Sequence, residues 1–99
     1  MKDSFISKIG VYGQMHYRYL KENKPTVVNV MRMKGTLQSY LENVNEHAED
    51  MLFQLVNQMA KAEGVTESLK RQDQLAWVGT MNNIRNRAME IVKQEVIFV

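Results

Sequence analysis

Apolar residues recur along this chain at spacings of three and four, the period of one face of an α-helix. Glycines and a single proline divide the pattern into segments that predict helices at about 11–23, 25–34, 37–63 and 67–96. Lys24 precedes Pro25 and is therefore disfavoured in a helix, so the first two helices should meet there. The valine-rich run from Val27 to Val30 could form a strand, but no partner strand is evident, so we expect a helix.

The third and fourth segments carry the longest apolar stripes, and each helix would be about 40 Å long at 1.5 Å per residue. The short connection Gly64-Val65-Thr66 predicts that they run antiparallel. Two helices alone cannot bury both stripes. We therefore predict a single all-α domain over residues 1–99. It would have two short N-terminal helices plus a long antiparallel helical hairpin, completing a helical bundle as a homodimer.

Composition excludes several classes of protein and site. The chain has no cysteine, so disulfides, thiolate metal sites and a cysteine nucleophile are ruled out. No stretch approaches the roughly 20 apolar residues of a membrane span, and residues 1–13 lack the apolar run of a signal peptide. We expect a cytoplasmic protein without membrane contact.

Charge is distributed unevenly along the chain. Residues 1–35 hold seven Lys and Arg against two acids, a balance of +5, whereas residues 36–64 hold one Lys against five acids, a balance of −4. A basic first third beside an acidic middle can steer DNA to one end of the molecule. It can equally indicate complementary surfaces within one chain or between two chains.

Basic residues cluster around the predicted junction of the first two helices. We predict a nucleic-acid-binding surface there that contacts phosphates. The alternative is a solvated basic face that docks onto the acidic third helix. The candidate residues are Tyr17, Arg18, Lys21, Lys24, Arg32 and Lys34.

Polar residues also interrupt the stripe of the fourth helix. Asp73 falls between Leu69, Trp77 and Ile84 on the helical wheel, which predicts a buried carboxylate that needs a partner such as Gln58 or a side chain of the first helix. It could fix the packing register or serve a function. Trp77, Asn83 and Arg87 are predicted with Asp73 to form interface or buried polar contacts.

Neither histidine has the setting of a catalytic or metal-binding group. His16 lies on the apolar face of the first helix, which predicts a core histidine. His47 lies in an acidic run without the Glu-x-x-His spacing of di-metal bundles, which predicts a solvated face. We expect no enzyme activity, no cofactor, no metal and no small-molecule substrate.

Several motifs together resemble those of the TnpV family, small proteins encoded in bacterial transposons and conjugative elements. The resemblance covers about residues 9–98. Its motifs include Tyr12-Gly13-Gln14-Met15, Gly35-Thr36-Leu37, Glu63-Gly64-Val65-Thr66-Glu67-Ser68-Leu69-Lys70 and Met81-Asn82-Asn83-Ile84-Arg85-Asn86-Arg87-Ala88.

The resemblance implies a mobile-element context and a bacterial cytoplasm, but it assigns no catalytic or binding residues. Two hypotheses follow. The first is an accessory or regulatory protein that binds DNA through the basic N-terminal third. The second is a protein–protein interaction module that acts on the transfer or excision machinery of the element without touching DNA.

Overall fold

The computed structural model describes residues 4–99, and every regular element among them is helical. A 3-10 helix at Ser4–Lys8 comes first, and a π-helical turn at Lys93–Ile97 comes last. Between them lie α1 (Val11–Asn23), α2 (Pro25–Lys34), α3 (Leu37–Ala62), α4 (Glu67–Gln72) and α5 (Gln74–Val92). The described residues contain no strand, so the all-α prediction is confirmed and the valine-rich run is helical.

Local backbone chemistry explains where these helices begin and end. Pro25 opens α2, where its missing N–H leaves no helical hydrogen bond unmade. Gly35 and Gly64 follow α2 and α3 with φ of 75° and 73°, in the left-handed region that glycine tolerates. The Thr66 hydroxyl oxygen then accepts a hydrogen bond of 3.3 Å from the Leu69 N–H and caps α4.

The predicted fourth helix, 67–96, is broken at Asp73, where the backbone becomes extended with φ −148° and ψ 89°. Asp73 is exposed, so the prediction of a buried carboxylate in the apolar stripe was wrong. Its Oδ1 accepts a hydrogen bond of 3.0 Å from the Ala76 N–H and caps α5, rather than bonding Gln58 or α1. Aspartate favours this outcome because its short carboxylate competes for nearby backbone N–H groups.

The central element of the fold is α3. Helix α5 runs antiparallel to α3. Val56, late in α3, lines a cavity with Met81, whereas Glu49, earlier in α3, lines one with the later residues Met89 and Lys93. Helix α1 packs on the N-terminal half of α3, and α2 contacts both of these helices. One buried cluster joins α3 to α5 and the C-terminal turn, and a second joins α1, α2 and the start of α3.

Helix α1 comes close to α3 at Gly13. A Cβ at this position would meet the Leu41 carbonyl oxygen at 2.8 Å and the Ile9 side chain. Beside this contact, Asn45 Oδ1 accepts hydrogen bonds of 3.0 Å from the N–H groups of Tyr12 and Gly13. N–H groups in the first turn of a helix have no acceptor within the helix itself. The N-cap residue Gly10 has no side chain to accept from them, so Asn45 of α3 caps α1 instead.

The molecule is elongated, with principal extents of 55 × 22 × 17 Å. Its length follows from α3, whose 26 residues span about 39 Å at 1.5 Å per residue. Helices α1 and α2 thicken one end, and α4 lies at the tip of the hairpin at the other. None of the helices in the described range is long and apolar enough to cross a membrane.

Candidate nucleic-acid interface

The predicted basic residues lie on α1, on α2 and at the junction between them. Lys24 is the single residue between the two helices, and Arg32 and Lys34 lie in the last turn of α2. No acidic residue occurs in α2. Arg18, Lys21, Lys24, Arg32 and Lys34 are all exposed. We call these five residues the basic end.

Tyr17, also predicted to bind nucleic acid, is instead part of the core, with only 5% of its surface exposed. Its ring therefore cannot stack on a nucleobase. Its hydroxyl oxygen accepts a hydrogen bond of 3.0 Å from Arg32 Nη2, and Lys21 Nζ lies 5.0 Å from the centre of its ring. Tyr17 thus positions two cations through a charge-assisted hydrogen bond and a cation–π contact. The burial of Tyr17 thus differs from the exposed aromatic ring that the prediction requires.

Lys21 and Arg32 face each other across a notch of about 190 Å³ between α1 and α2. Pro25, Val28 and Asn29 complete its walls, and Asn29 Oδ1 accepts a hydrogen bond of 3.1 Å from Arg32 Nη1. Two cationic side chains are therefore held around one small depression, an arrangement suited to a phosphate group.

Arg18 lies one turn before Lys21 on the same face of α1, but it lines a different cavity. It borders a cavity of about 220 Å³ with Met15, Tyr19, Glu22 and Phe98. The basic end therefore extends from one face of the C-terminal half of α1 across Lys24 onto α2.

The acidic residues of α3 do not neutralise the basic end. Among residues 4–99, Arg18, Lys21, Lys24 and Lys34 form no ion pair within 4.0 Å. The ion pairs seen between described residues include Arg87–Glu63 at 2.8 Å and Lys93–Glu90 at 3.7 Å, which lie on other parts of the fold. The alternative that these four basic side chains dock onto α3 is thus not what the structure shows.

The second predicted group of residues, expected at an interface or buried, is not buried together within this chain, and its place at an interface stays a prediction. Asn83 and Arg87 are exposed, and Trp77 is half-buried with Lys70 Nζ 4.7 Å from its ring centre. Arg87 Nε donates to Asn83 Oδ1 at 2.8 Å, and Arg87 Nη2 donates to Glu63 Oε1 at 2.8 Å. The hydrogen bond that Glu63 accepts from Arg87, together with the positive charge of Arg87, lowers the pKa of Glu63. The pair links the end of α3 to α5 at the surface.

The histidines have the surroundings that the helical pattern predicted. His47 is exposed. His16 is 1% exposed, and its two ring nitrogens lie 2.6 Å from the Ile97 carbonyl oxygen and 2.8 Å from the Tyr40 hydroxyl. Burial raises the pKa of Tyr40. Within the described range, no group of three or more His, Cys, Asp or Glu side chains is placed to hold a metal ion.

Sequence reasoning missed an exposed apolar stripe on α2. Val27, Val30 and Met33 are 43%, 41% and 86% exposed, and their spacing of three places them on one helical face. The sequence of α2 could have revealed this stripe, because its apolar residues lie on two sides of the helix and only the side of Val28 is buried.

Neither the curated proteins nor the solved structures compared with this chain include a match. The family comparison does give one: residues 1–97 match the family described as transposon-encoded protein TnpV. The match spans all five α-helices, the basic end and the hairpin, and it confirms the resemblance seen in the motifs. The chain therefore belongs to the TnpV family of transposon-encoded proteins.

Proposed function

We propose that this chain is a non-enzymatic accessory or regulatory protein of a bacterial transposon or conjugative element, and that it binds DNA through its basic end. The observation that carries the proposal is that Arg18, Lys21, Lys24 and Lys34 are exposed together without an ionic partner in the described chain. Unpaired cations at one end of a molecule attract the phosphate backbone and release its counterions.

The proposal concerns backbone contacts rather than sequence readout. Lys21 and Arg32 line the notch between α1 and α2, where their positive charges would attract a phosphate, and Tyr17 contacts both side chains. Cations in the last turns of α1 and α2 also interact favourably with the helix dipoles. That stabilising role affects folding only, so a binding measurement distinguishes it from DNA contact.

The test compares two double variants that remove the same charge. Lys24→Gln with Lys34→Gln alters the basic end, and Lys61→Gln with Arg71→Gln is the control near the hairpin tip, where both residues are also exposed. Binding to a fluorescent duplex is followed by anisotropy from 50 to 200 mM salt. The slope of log K against log salt should fall by about 2 in the basic-end variant, since each lost phosphate contact removes about 0.9.

The control variant should keep the wild-type slope and should bind nearly as tightly. Equal weakening of both variants would show attraction to net charge alone. Absence of binding to any duplex at 50 mM salt, including the ends of the element, would overturn the proposal.

A second function is favoured by the exposed stripe on α2. An exposed apolar helix face is a common docking surface for another protein. In this alternative the chain is an interaction module that acts on the transfer or excision machinery of the element without DNA contact. Co-purification with purified element-encoded proteins, lost in Met33→Glu and retained in the basic-end variant, would support it over DNA binding.

We further propose that the protein acts in the bacterial cytoplasm, where the DNA of the element is found. The absence of cysteine agrees with a reducing compartment. Fractionation of cells that express the full chain would test this location.

A further inference from the structure

An open groove runs along one side of the hairpin, between α5 and the N-terminal end of α1, with α3 at its base. It consists of two adjoining cavities of about 400 and 430 Å³ that share Tyr12 and Glu49. We call it the hairpin groove. Along α5 and into the C-terminal turn it extends from Met81 to Lys93, about 18 Å at the rise of an α-helix.

The hairpin groove is mostly apolar and incompletely covered. Leu52 and Val56 form its base, while Phe53 and Val11 at its edges are 68% and 65% exposed. Because α1 begins at Val11, it leaves α3 and α5 uncovered between that point and α4 at the tip of the hairpin. A large aromatic ring exposed beside an apolar groove indicates a surface that another helix can cover.

The overall dimensions show an elongated molecule with a large exposed surface. The radius of gyration is 17.1 Å, whereas a compact domain of this length has about 13 Å. The accessible surface is 6655 Å², roughly 800 Å² more than the value expected for a compact monomer of 11.6 kDa. One partner in a standard protein–protein interface buries about 800 Å², so a single additional contact would account for the excess.

The charges of the hairpin groove favour a partner with the same surface. Glu49 lies where its two cavities join, and Arg85 lies on the opposite wall. Neither forms an ion pair with a described residue, although Glu49 accepts a hydrogen bond of 3.2 Å from Asn45. In a two-fold interface each contact occurs twice, so Glu49 of each copy can face Arg85 of the other.

From these observations we propose that a second copy of this chain occupies the hairpin groove, and that the two hairpins associate about a two-fold axis. Phe53 of one copy packs into the groove of the other, and the Glu49 and Arg85 side chains pair across the interface. The basic ends remain outside this interface, so the association does not depend on DNA binding.

The first experiment measures association of the full chain by sedimentation from 1 to 200 µM. The wild type should be dimeric in the upper part of this range. Phe53→Glu should raise the dissociation constant at least about tenfold, as expected for a central aromatic contact. Met33→Glu introduces the same charge at an 86% exposed residue on α2 and should leave the dissociation constant unchanged.

The second experiment reverses the proposed pair. Glu49→Arg and Arg85→Glu should each raise the dissociation constant by about tenfold or more, and the double variant should return to within about threefold of the wild type. Both residues are exposed, so the variants should keep the helical circular dichroism of the wild type. Recovery in the double variant separates a specific contact from a general effect of charge.

A monomer at 200 µM would overturn the proposal. So would a dimer that Met33→Glu dissociates and Phe53→Glu does not, because the interface would then be the α2 stripe. Additive weakening in the Glu49→Arg and Arg85→Glu double variant would exclude the proposed pairing. The anisotropy assay on Phe53→Glu reports DNA binding separately, so the two proposals can fail independently.

Discussion

His16 and Ile97 are 81 residues apart in the chain, yet His16 Nδ1 lies 2.6 Å from the Ile97 carbonyl oxygen. A carbonyl only accepts hydrogen bonds, so Nδ1 carries a proton and donates it. In the neutral ring Nε2 is then the acceptor, and it receives the Tyr40 hydroxyl hydrogen over 2.8 Å. One buried ring thereby joins α1, α3 and the C-terminal turn.

Replacement of His16 should destabilise the fold, because the Ile97 carbonyl oxygen would lose its hydrogen-bond donor. Ile97 is fully buried, so in His16→Leu its oxygen would lack the partner it has now. An unsatisfied buried acceptor costs about 1–3 kcal/mol in the free energy of unfolding. Urea unfolding followed by circular dichroism at 222 nm measures this loss.

The matched control is Tyr40→Phe, which removes the other hydrogen bond of the same ring. Tyr40 is 37% exposed, so water can replace part of what is lost, and the cost should be about 0.5–1.5 kcal/mol. If Tyr40→Phe proves as costly as His16→Leu, the Ile97 carbonyl is not the decisive partner.

Tyr40 also predicts a loss of stability at high pH. Burial raises its pKa in the folded protein above the ordinary value of 10.0. Above pH 10 the unfolded chain therefore releases this proton more readily than the folded protein does. The contribution of Tyr40 is fully present below pH 10 and is lost as the pH rises through the folded-state pKa.

Unfolding free energies between pH 8 and 11 measure this effect, and Tyr40→Phe isolates it from the other tyrosines and the lysines. The wild type should lose more stability over this interval than the variant. Parallel pH profiles for the two proteins would contradict the prediction.

His16 shows how far the sequence could be interpreted. Its position among Tyr12, Tyr19 and Leu20 on one helical face predicted that it is buried, because periodicity reports which side of a helix meets the core. Its partners could not be predicted in the same way. They depend on how α3 lies against α1 and on a π-helical turn at the C-terminus, neither of which follows from a local pattern.

The α1–α2 junction and the bend at Asp73 show the same contrast. The sequence predicted the α1–α2 junction from Pro25, because proline constrains its neighbours directly. At Asp73 the regular stripe of Leu69, Trp77 and Ile84 favoured an unbroken helix. The Asp73 carboxylate instead accepts a hydrogen bond from a backbone N–H three residues later and ends α4. A helical wheel assumes a continuous helix, so it placed Asp73 at a buried position when the residue lies at a bend.

Alanine should have opposite effects on stability at two helical glycines, because Gly13 lies where α1 closely contacts α3 and Gly79 has open space around it. In Gly13→Ala the new Cβ would meet the Leu41 carbonyl oxygen at 2.8 Å, so the helices must move apart. In Gly79→Ala no atom of another element lies within 4 Å, and alanine is the better helix former.

Thermal and urea unfolding of both variants provide the test. Gly79→Ala should raise the free energy of unfolding by about 0.5–1 kcal/mol. Gly13→Ala should lower it by about 1–3 kcal/mol, the usual cost of overpacking, in spite of the same gain in helix propensity. Stabilisation by Gly13→Ala would show that α1 and α3 are not as close as the structure has them.

Substitutions of Asp73 distinguish a helix cap from a buried carboxylate. As a cap, the residue contributes through Oδ1 and the Ala76 N–H. Asp73→Asn keeps an oxygen in that place and should change the free energy of unfolding little, whereas Asp73→Ala should lower it by about 0.5–2 kcal/mol.

A carboxylate buried among apolar residues would respond differently, because Asp73→Leu would then stabilise the protein by removing a desolvated polar group. We expect Asp73→Leu to resemble Asp73→Ala, since both lack the acceptor at an exposed bend between α4 and α5. A stability gain in Asp73→Leu would restore the buried interpretation and would mean that α4 and α5 form one continuous helix.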